Sequence, residues 1–186
     1  MAAVPFSKGR TTEDGTRVIS AVLVFAVLPA LLIAAAGWDL ASYTIPNLLQ
    51  VALLAAFVVF ALTAGMSVGS VGLHMLAGVL GLAIGFCFFA LGYVGGGDAK
   101  LFACAALWFG VHDLADFALY ASVFGGFLTL ALLSFRKVPL PALLGKQDWL
   151  MRLHDERAGI PYGAALAAGA FAILPYTDVF RMGMAG

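Results

Sequence analysis

The sequence predicts an all-α, polytopic membrane protein with about six transmembrane helices. Of its 186 residues, 63% are hydrophobic and only 11% are charged. A soluble domain of this size needs more polar surface than that, and outside lipid it would expose very large apolar patches. The apolar residues also fall into six separate runs. Because lipid offers no water to exposed backbone groups, each run is expected to be a helix.

The runs follow one another after a polar N-terminal tail. Residues 1–17 form this tail, and one transmembrane domain is expected over residues 18–180. The first run is longer than the ~7–15 residues of a signal-peptide core, so we expect it to be a retained span. The six runs cover, roughly, residues 18–38, 48–65, 71–93, 99–111, 116–135 and 159–176.

The connections between the runs are short, with one exception. Pro46 and Pro161 each stand at the start of a run, where a helix does not need the missing N–H. The segment 136–158 is long and basic. It is either a solvated loop or an interfacial helix that turns several apolar residues towards lipid, and both interpretations stay open. The apolar residues are Leu143, Leu144, Trp149, Leu150 and Leu153.

The number of spans determines which connections share a face of the membrane. With six spans, the connections 38–47, 94–98 and 136–158 lie together. That face carries six Lys and Arg residues against four on the other, so the positive-inside rule places it in the cytoplasm. The basic N-terminal tail favours the opposite orientation.

Composition excludes several kinds of site. The formal net charge is zero, so no basic field favours nucleic acid. Cys87 and Cys104 have 16 residues between them, which makes no zinc pattern and is typical of packing residues. His74, His112 and His154 lie in three different parts of the chain, so no nucleophile–base pair is evident. No metal and no cofactor are expected.

Two aspartates stand at the ends of apolar runs. Asp39 follows the first run, and Asp98 lies between the third and the fourth. From Asp98 to Asp113 is about 22 Å of helix, whereas the hydrocarbon core is ~30 Å thick. If Asp113 lies at the far interface, Asp98 lies below the near one, and an ionisable residue at membrane depth is a functional candidate. Taken alone, Asp39 is better explained as a residue that marks the membrane interface.

Three consecutive glycines precede Asp98. Gly95, Gly96 and Gly97 favour an irregular loop at membrane depth, which another backbone can approach closely. The alternative is a flexible turn with Asp98 as the N-cap of the next helix.

Span parity places Asp39 and Asp98 on the same face. Two carboxylates that converge there would share one proton. One would act as a base on water, and the other would donate to a peptide carbonyl.

Three motifs in the chain resemble those of the type IV prepilin leader peptidases. Gly95-Gly96-Gly97-Asp98-Ala99-Lys100 resembles the Gly-x-Gly-Asp-x-Lys motif of that family. Asp39, followed by Ile45-Pro46-Asn47, resembles its first aspartate and the Ile-Pro-Asn that comes after it. Ile160-Pro161-Tyr162-Gly163 resembles the start of its last helix. The motifs occur in family order across residues 39–169.

This resemblance implies an aspartic endopeptidase of the bacterial inner membrane, with its active site facing the cytoplasm. It would remove the short basic leader from prepilin-like substrates, and Asp39 and Asp98 would be the catalytic pair. Prepilin-like proteins and membrane lipid are the implied partners. The other motif residues form the implied substrate-binding set: Gly95, Gly96, Gly97, Lys100, Pro46, Asn47, Pro161 and Tyr162.

The chain is similar to the short form of the family that accompanies tight-adherence (Flp) pili. Larger relatives carry a cysteine-containing insertion after the first span, linked to N-methylation, and here that loop has no cysteine. The resemblance therefore implies no methyltransferase activity. Relatives often have a basic residue before Ile-Pro-Asn, whereas this chain has Tyr43-Thr44, which bears on substrate contacts.

Functions of other classes remain as alternatives. Asp39 and Asp98 would also suit the relay groups of a small proton-coupled transporter, although no inverted repeat is evident. A non-catalytic assembly subunit of a pilus or secretion system would tolerate Asp→Asn at both positions. A presenilin-like peptidase shares Gly-x-Gly-Asp, but its first aspartate follows a tyrosine inside a helix, whereas Trp38 precedes Asp39 here.

Overall fold

The computed structural model is all-α, as the sequence predicts. It describes residues 8–139, 147–155 and 157–185. The first long helix contains a π-helical turn, Leu23–Val27, and a 3₁₀ turn, Leu174–Tyr176, precedes the last one. The helices are α1 (Lys8–Val22), α2 (Leu28–Ser42), α3 (Asn47–Thr63), α4 (Val68–Ala90), α5 (Gly96–Arg136), α6 (Asp148–His154), α7 (Tyr162–Ile173) and α8 (Asp178–Met184).

Several of these helices are suited to cross a membrane. Asp14–Ser42, Val68–Ala90 and Gly96–Arg136 are long and apolar enough to span it. Tyr162–Tyr176 and Asp178–Met184 meet at 59° and would add a fourth span if they count as one. Helix α3 is apolar but has only 17 residues. The structure supports a multi-span membrane protein, and the count of six stays a prediction.

Helix α5 folds back on itself at Gly110. This glycine has φ 76° and ψ 177°, a conformation that side chains disfavour. The rings of Phe102 and Phe117 lie 5.0 Å apart, whereas a straight helix would separate these residues by about 22 Å. The helix therefore has a first arm, 96–109, and a second arm, 111–136. The predicted runs 99–111 and 116–135 fall on these two arms. The residues between the runs, 112–115, were expected to connect them, and this is wrong because the reversal lies at Gly110.

The reversal is held by a buried histidine of α4. The Nδ1 atom of His74 lies 2.8 Å from the carbonyl oxygen of Leu107, one of the last carbonyls of the first arm. Such carbonyls lose their helical partners where a helix breaks. His74 also stacks on Phe57, with the ring centroids 5.4 Å apart. Its role is therefore structural, in agreement with its exclusion from the candidate site.

Glycines set the closest helix contacts. A Cβ atom at Gly81 would lie 2.7 Å from the Ala106 side chain, and one at Gly85 would lie 2.9 Å from the Ala99 backbone. The spacing Gly81/Gly85 thus serves close packing of α4 on the first arm, as membrane helices commonly use it. The pairs Gly65/Gly69 and Gly159/Gly163 have the same spacing in the sequence. A Cβ atom at Gly65 or Gly159 would meet nothing within 4 Å, so the spacing does not mark a close helix contact at these two glycines.

The long basic connection is partly helical. Helix α6 lies within it, with Leu153 buried and Trp149 45% exposed. Leu143 and Leu144 lie outside the described residues. Arg136, predicted as the start of this connection, instead lies in the last turn of α5 and is buried.

Candidate active site

Asp39 is a buried carboxylate in the last turn of α2. Its side chain is 3% exposed. The chain leaves the helix through Tyr43, which has a left-handed φ of 55° and donates its backbone N–H to the Asp39 carbonyl at 2.8 Å. The backbone N–H of Gly163, at the start of α7, donates to Oδ2 of Asp39 at 2.6 Å. A Cβ atom at Gly163 would lie 2.8 Å from that oxygen, so the contact requires glycine.

Asp98 is the second buried carboxylate, 7% exposed, in the first turn of α5. Its Oδ2 accepts the backbone N–H of Gly95 at 3.1 Å. The first turn of a helix favours such an anion, because its free N–H groups carry partial positive charge. Among the described residues, Oδ1 of Asp98 has no hydrogen-bond partner. The bond from Gly95 thus orients the carboxylate at the start of the helix.

The glycines before Asp98 are more regular than the sequence predicts. Gly95 is the N-cap of α5, and Gly96 and Gly97 already belong to the helix. The expectation of an irregular loop through Gly97 is therefore wrong, as is that of Asp98 as the N-cap. The non-helical loop covers residues 91–95. The reason is that Asp98 caps the helix from its first turn: its carboxylate accepts the backbone N–H of the N-cap Gly95, so the helix begins at Gly96.

Asp39 and Asp98 line the same pocket. Its volume is about 320 Å³, and both the loop between α2 and α3 and the start of α5 contribute to it. Ile45 packs between two glycines of the site: Cβ atoms at Gly97 and Gly163 would lie 3.3 Å and 3.0 Å from its side chain. The other lining residues are Tyr43, Thr44, Asn47, Gly95, Gly96 and Lys100.

The candidate substrate-binding residues separate into two groups. The glycines 95–97, Asn47 and Lys100 lie in the pocket with the aspartates. There Nζ of Lys100 donates to Oδ1 of Asn47 at 3.1 Å, so these two side chains meet each other. Pro46 and Pro161 do not line the pocket, and they act as the N-caps of α3 and α7. Tyr162 lines a second, larger cavity.

Four residues of this region were absent from the candidate set. Gly163 lies within the third motif, yet only the fold shows that it touches Asp39. Gln50 donates from Nε2 to the carbonyl oxygen of Gly97 at 3.2 Å. Both contacts join distant parts of the chain, so no local pattern could reveal them.

Arg136 and Tyr43 are the other two absent residues, and they lie close together at this end of the bundle. Arg136 donates from Nε to the carbonyl of Leu153 and from Nη2 to that of Gly159, each at 2.9 Å. Burial raises the pKa of Tyr43, and the neighbouring Arg136 guanidinium opposes that shift. Within the described residues the Tyr43 hydroxyl oxygen is buried without a hydrogen-bond partner. The two hydrogen bonds of Arg136 thus tie the segment before α7 to the end of α5.

The arrangement suits acid–base chemistry. Two carboxylates from different helices share one polar pocket with room for water. No group of three or more His, Cys, Asp or Glu residues suited to hold a metal ion occurs in the described part of the chain. The charged side chains that line the pocket are thus two carboxylates and one lysine.

Comparison with known proteins adds one finding. The Type IV leader peptidase family matches residues 26–130, more than half of the chain and including both aspartates. The matched range ends before α7, which carries Gly163. No curated protein and no solved structure matches the chain.

Proposed function

Since this chain belongs to the type IV leader peptidase family, we propose that it is an aspartic endopeptidase that removes the short basic leader from prepilin-like precursors. The observation that carries the proposal is the pocket shared by Asp39 and Asp98. Both carboxylates are buried, and each accepts one backbone N–H. A pair of buried carboxylates in one polar pocket can supply both the base and the acid that direct attack of water on a peptide bond needs.

The mechanism assigns one proton to the pair, because two like charges in a buried site do not both ionise. The ionised carboxylate takes a proton from a water molecule as its oxygen attacks the scissile carbonyl carbon. The protonated carboxyl donates to the carbonyl oxygen, which gives a neutral tetrahedral intermediate. The carboxyl group that took the water proton donates it to the leaving nitrogen as the C–N bond breaks. The other carboxylate takes a hydroxyl proton from the diol, which leaves a carboxylic acid and an amine as products and returns one proton to the pair.

Several features support the finer assignment to the short form of the family. The link between α2 and α3, residues 43–46, contains no cysteine and has no room for an inserted domain. We therefore propose peptidase activity without N-methylation. The positive-inside bias supports an inner-membrane protein whose pocket opens to the cytoplasm, where a basic leader would lie before cleavage.

Co-expression tests the proposal. Wild-type protein and the variants Asp39→Asn and Asp98→Asn would each be expressed with small pilin precursors, and leader removal read by mass spectrometry. We expect cleavage by wild type and none by either variant at matched membrane levels. Near-normal cleavage by one variant would overturn the assignment of the dyad.

A further inference from the structure

A second cavity lies beside Asp98, and the proposed chemistry does not use it. It is an apolar groove of about 600 Å³ between α4, both arms of α5, and α7. Asp98 lines this groove as well as the polar pocket. The groove is walled by Phe88, Tyr93, Phe102, Ser122, Gly126 and Leu130, among others.

The two aliphatic hydroxyl side chains in the groove are both bonded within their own helix. Ser122 donates to the carbonyl of Ala118, and Thr129 donates to that of Gly125, both at 2.7 Å within the second arm. These bonds occupy the hydroxyl protons. Apart from Asp98 and the phenol groups of Tyr93 and Tyr162, the rest of the groove wall is apolar side chains and glycines, in contrast to the pocket that holds Lys100 and Asn47.

The dimensions of the groove suit one face of a helix. Along the second arm it reaches from Ala118 to Leu130, about 18 Å of helix or three turns. A helix of about 10 Å diameter fills roughly 400 Å³ per turn, or roughly 1,200 Å³ over three turns. The groove, at about 600 Å³, can therefore hold about half of such a helix, and lipid would cover the other side. A helix also satisfies its own backbone groups, as any segment at this depth must.

We propose that this groove binds the apolar helix of the substrate beside Asp98, while the polar pocket takes the polar segment that adjoins the cut. The proposal rests on the proposed function, and it gives each cavity one part of the precursor. Both parts then meet at the one carboxylate that lines both cavities.

Gly126 offers a clean test. It is exposed in the groove, and a Cβ atom there would meet nothing within 4 Å, so a larger side chain can start from this position without a clash. Gly72 of α4 is equally open but lies outside the groove, so Gly72→Leu is the matched control.

The substrates are two synthetic peptides with the same basic segment and cut site. The long one continues for about 15 apolar helical residues, and the short one ends three residues after the cut.

Gly126→Leu should raise KM for the long peptide about tenfold, equivalent to about two methylene groups no longer buried. KM for the short peptide should stay unchanged in Gly126→Leu. In the control Gly72→Leu, KM for the long peptide and KM for the short peptide should both stay unchanged. Equal KM values for the long peptide in the two variants would overturn the assignment of the groove. Asp98→Asn should cleave neither peptide, and cleavage by it would count against the dyad alone.

Binding is measured separately from activity. A photo-crosslinking residue replaces Leu130, which lines the groove, or Leu119 of the same arm, which is similarly exposed outside it. In the Asp98→Asn background we expect the long peptide to crosslink at 130 and not at 119. Crosslinks at 130 to lipid alone would overturn the inference. Crosslinking at 130 combined with a wild type that cleaves neither peptide would support the groove and refute the peptidase.

Discussion

The backbone N–H of Gly163 donates a hydrogen bond to Oδ2 of Asp39 at 2.6 Å, across 124 residues of sequence. It fixes the carboxylate at the end of α2 against the start of α7. Because this donor belongs to the backbone, its position depends on how closely the two helices approach. The side chain at position 163 therefore controls the geometry of Asp39.

Gly163→Ala should lower kcat/KM about a hundredfold. The added Cβ would lie 2.8 Å from Oδ2 of Asp39 and 3.0 Å from Ile45, so the carboxylate has to move. A shift of about 1 Å at a reacting group costs this much. The matched control is Gly159→Ala, four residues earlier, where a Cβ meets nothing within 4 Å. The measurement is cleavage of a leader peptide by purified protein, and equal rates in the two variants would refute the role of Gly163.

The two aspartates should act as one unit. Asp39→Asn and Asp98→Asn should each reduce kcat by at least the 10²–10⁴ typical of acid–base catalysis, and the double variant should be no worse than either. The physical reason is that both steps require a base and an acid that share a proton. Single-turnover rates for the three variants provide the measurement. Losses that multiply in the double variant would indicate two independent roles.

Neighbouring glycines should differ in their tolerance of a methyl group. A Cβ at Gly97 would lie 3.3 Å from the Ile45 side chain and 3.4 Å from its backbone nitrogen. One at Gly96 would make only ordinary contact with the Phe89 ring, at 3.5 Å. Gly97→Ala should therefore reduce activity about tenfold, and Gly96→Ala less than about twofold. A larger loss in Gly96→Ala would show that the substrate, not Ile45, occupies the space beside these glycines.

Arg136 should contribute to the stability of the protein. Arg136→Gln removes two hydrogen bonds from a buried guanidinium to the carbonyls of Leu153 and Gly159. We expect a loss of about 2–4 kcal/mol in the free energy of unfolding, seen as a lower Tm in detergent. Lys137→Gln changes the exposed neighbour and should leave Tm unchanged. A Tm in Arg136→Gln equal to that of Lys137→Gln would contradict this prediction.

Cysteine labelling in intact cells tests the predicted orientation. In a background that lacks Cys87 and Cys104, single cysteines replace Ser42, Gln147 or His112. The first two should react only after the inner membrane is opened, and the exposed position 112 should react from outside. Labelling of positions 42 and 147 from opposite sides would refute the shared face. Labelling of both from outside would reverse the orientation alone.

The sequence predicted the features that depend on local composition. Apolar runs located the long helices, and the proline at each helix start agrees with the N-cap positions of Pro46 and Pro161. The alternation of spans placed Asp39 and Asp98 on one face, and the structure brings them into one pocket. Local patterns suffice here because hydrophobicity and backbone restriction act within a few residues.

The features that the sequence could not predict depend on the tertiary fold. In the sequence, Gly110 does not differ from the other glycines of the apolar runs. The reversal of the chain at Gly110 shows only in the fold, where Phe102 stacks on Phe117. The close approach to Gly97 was expected from a substrate, but Ile45 of the same chain makes it. In the sequence, Arg136 was interpreted as a loop cation. Its buried position depends on the carbonyls of Leu153 and Gly159, which only the tertiary fold brings close to it. In each case the partner is many residues away.

The hydrogen bond between Gly163 and Asp39 also determines at which stage of folding the protein becomes active. Helix α4 and the two arms of α5 contact their neighbours in sequence, and such contacts form early because only short loops must close. The contact of α7 with α2 closes a loop of more than a hundred residues. Asp39 and Asp98 are both synthesised long before the residue that orients Asp39. We therefore expect a nascent chain to contain both carboxylates and yet hydrolyse nothing, because the enzyme acquires its activity with the docking of α7.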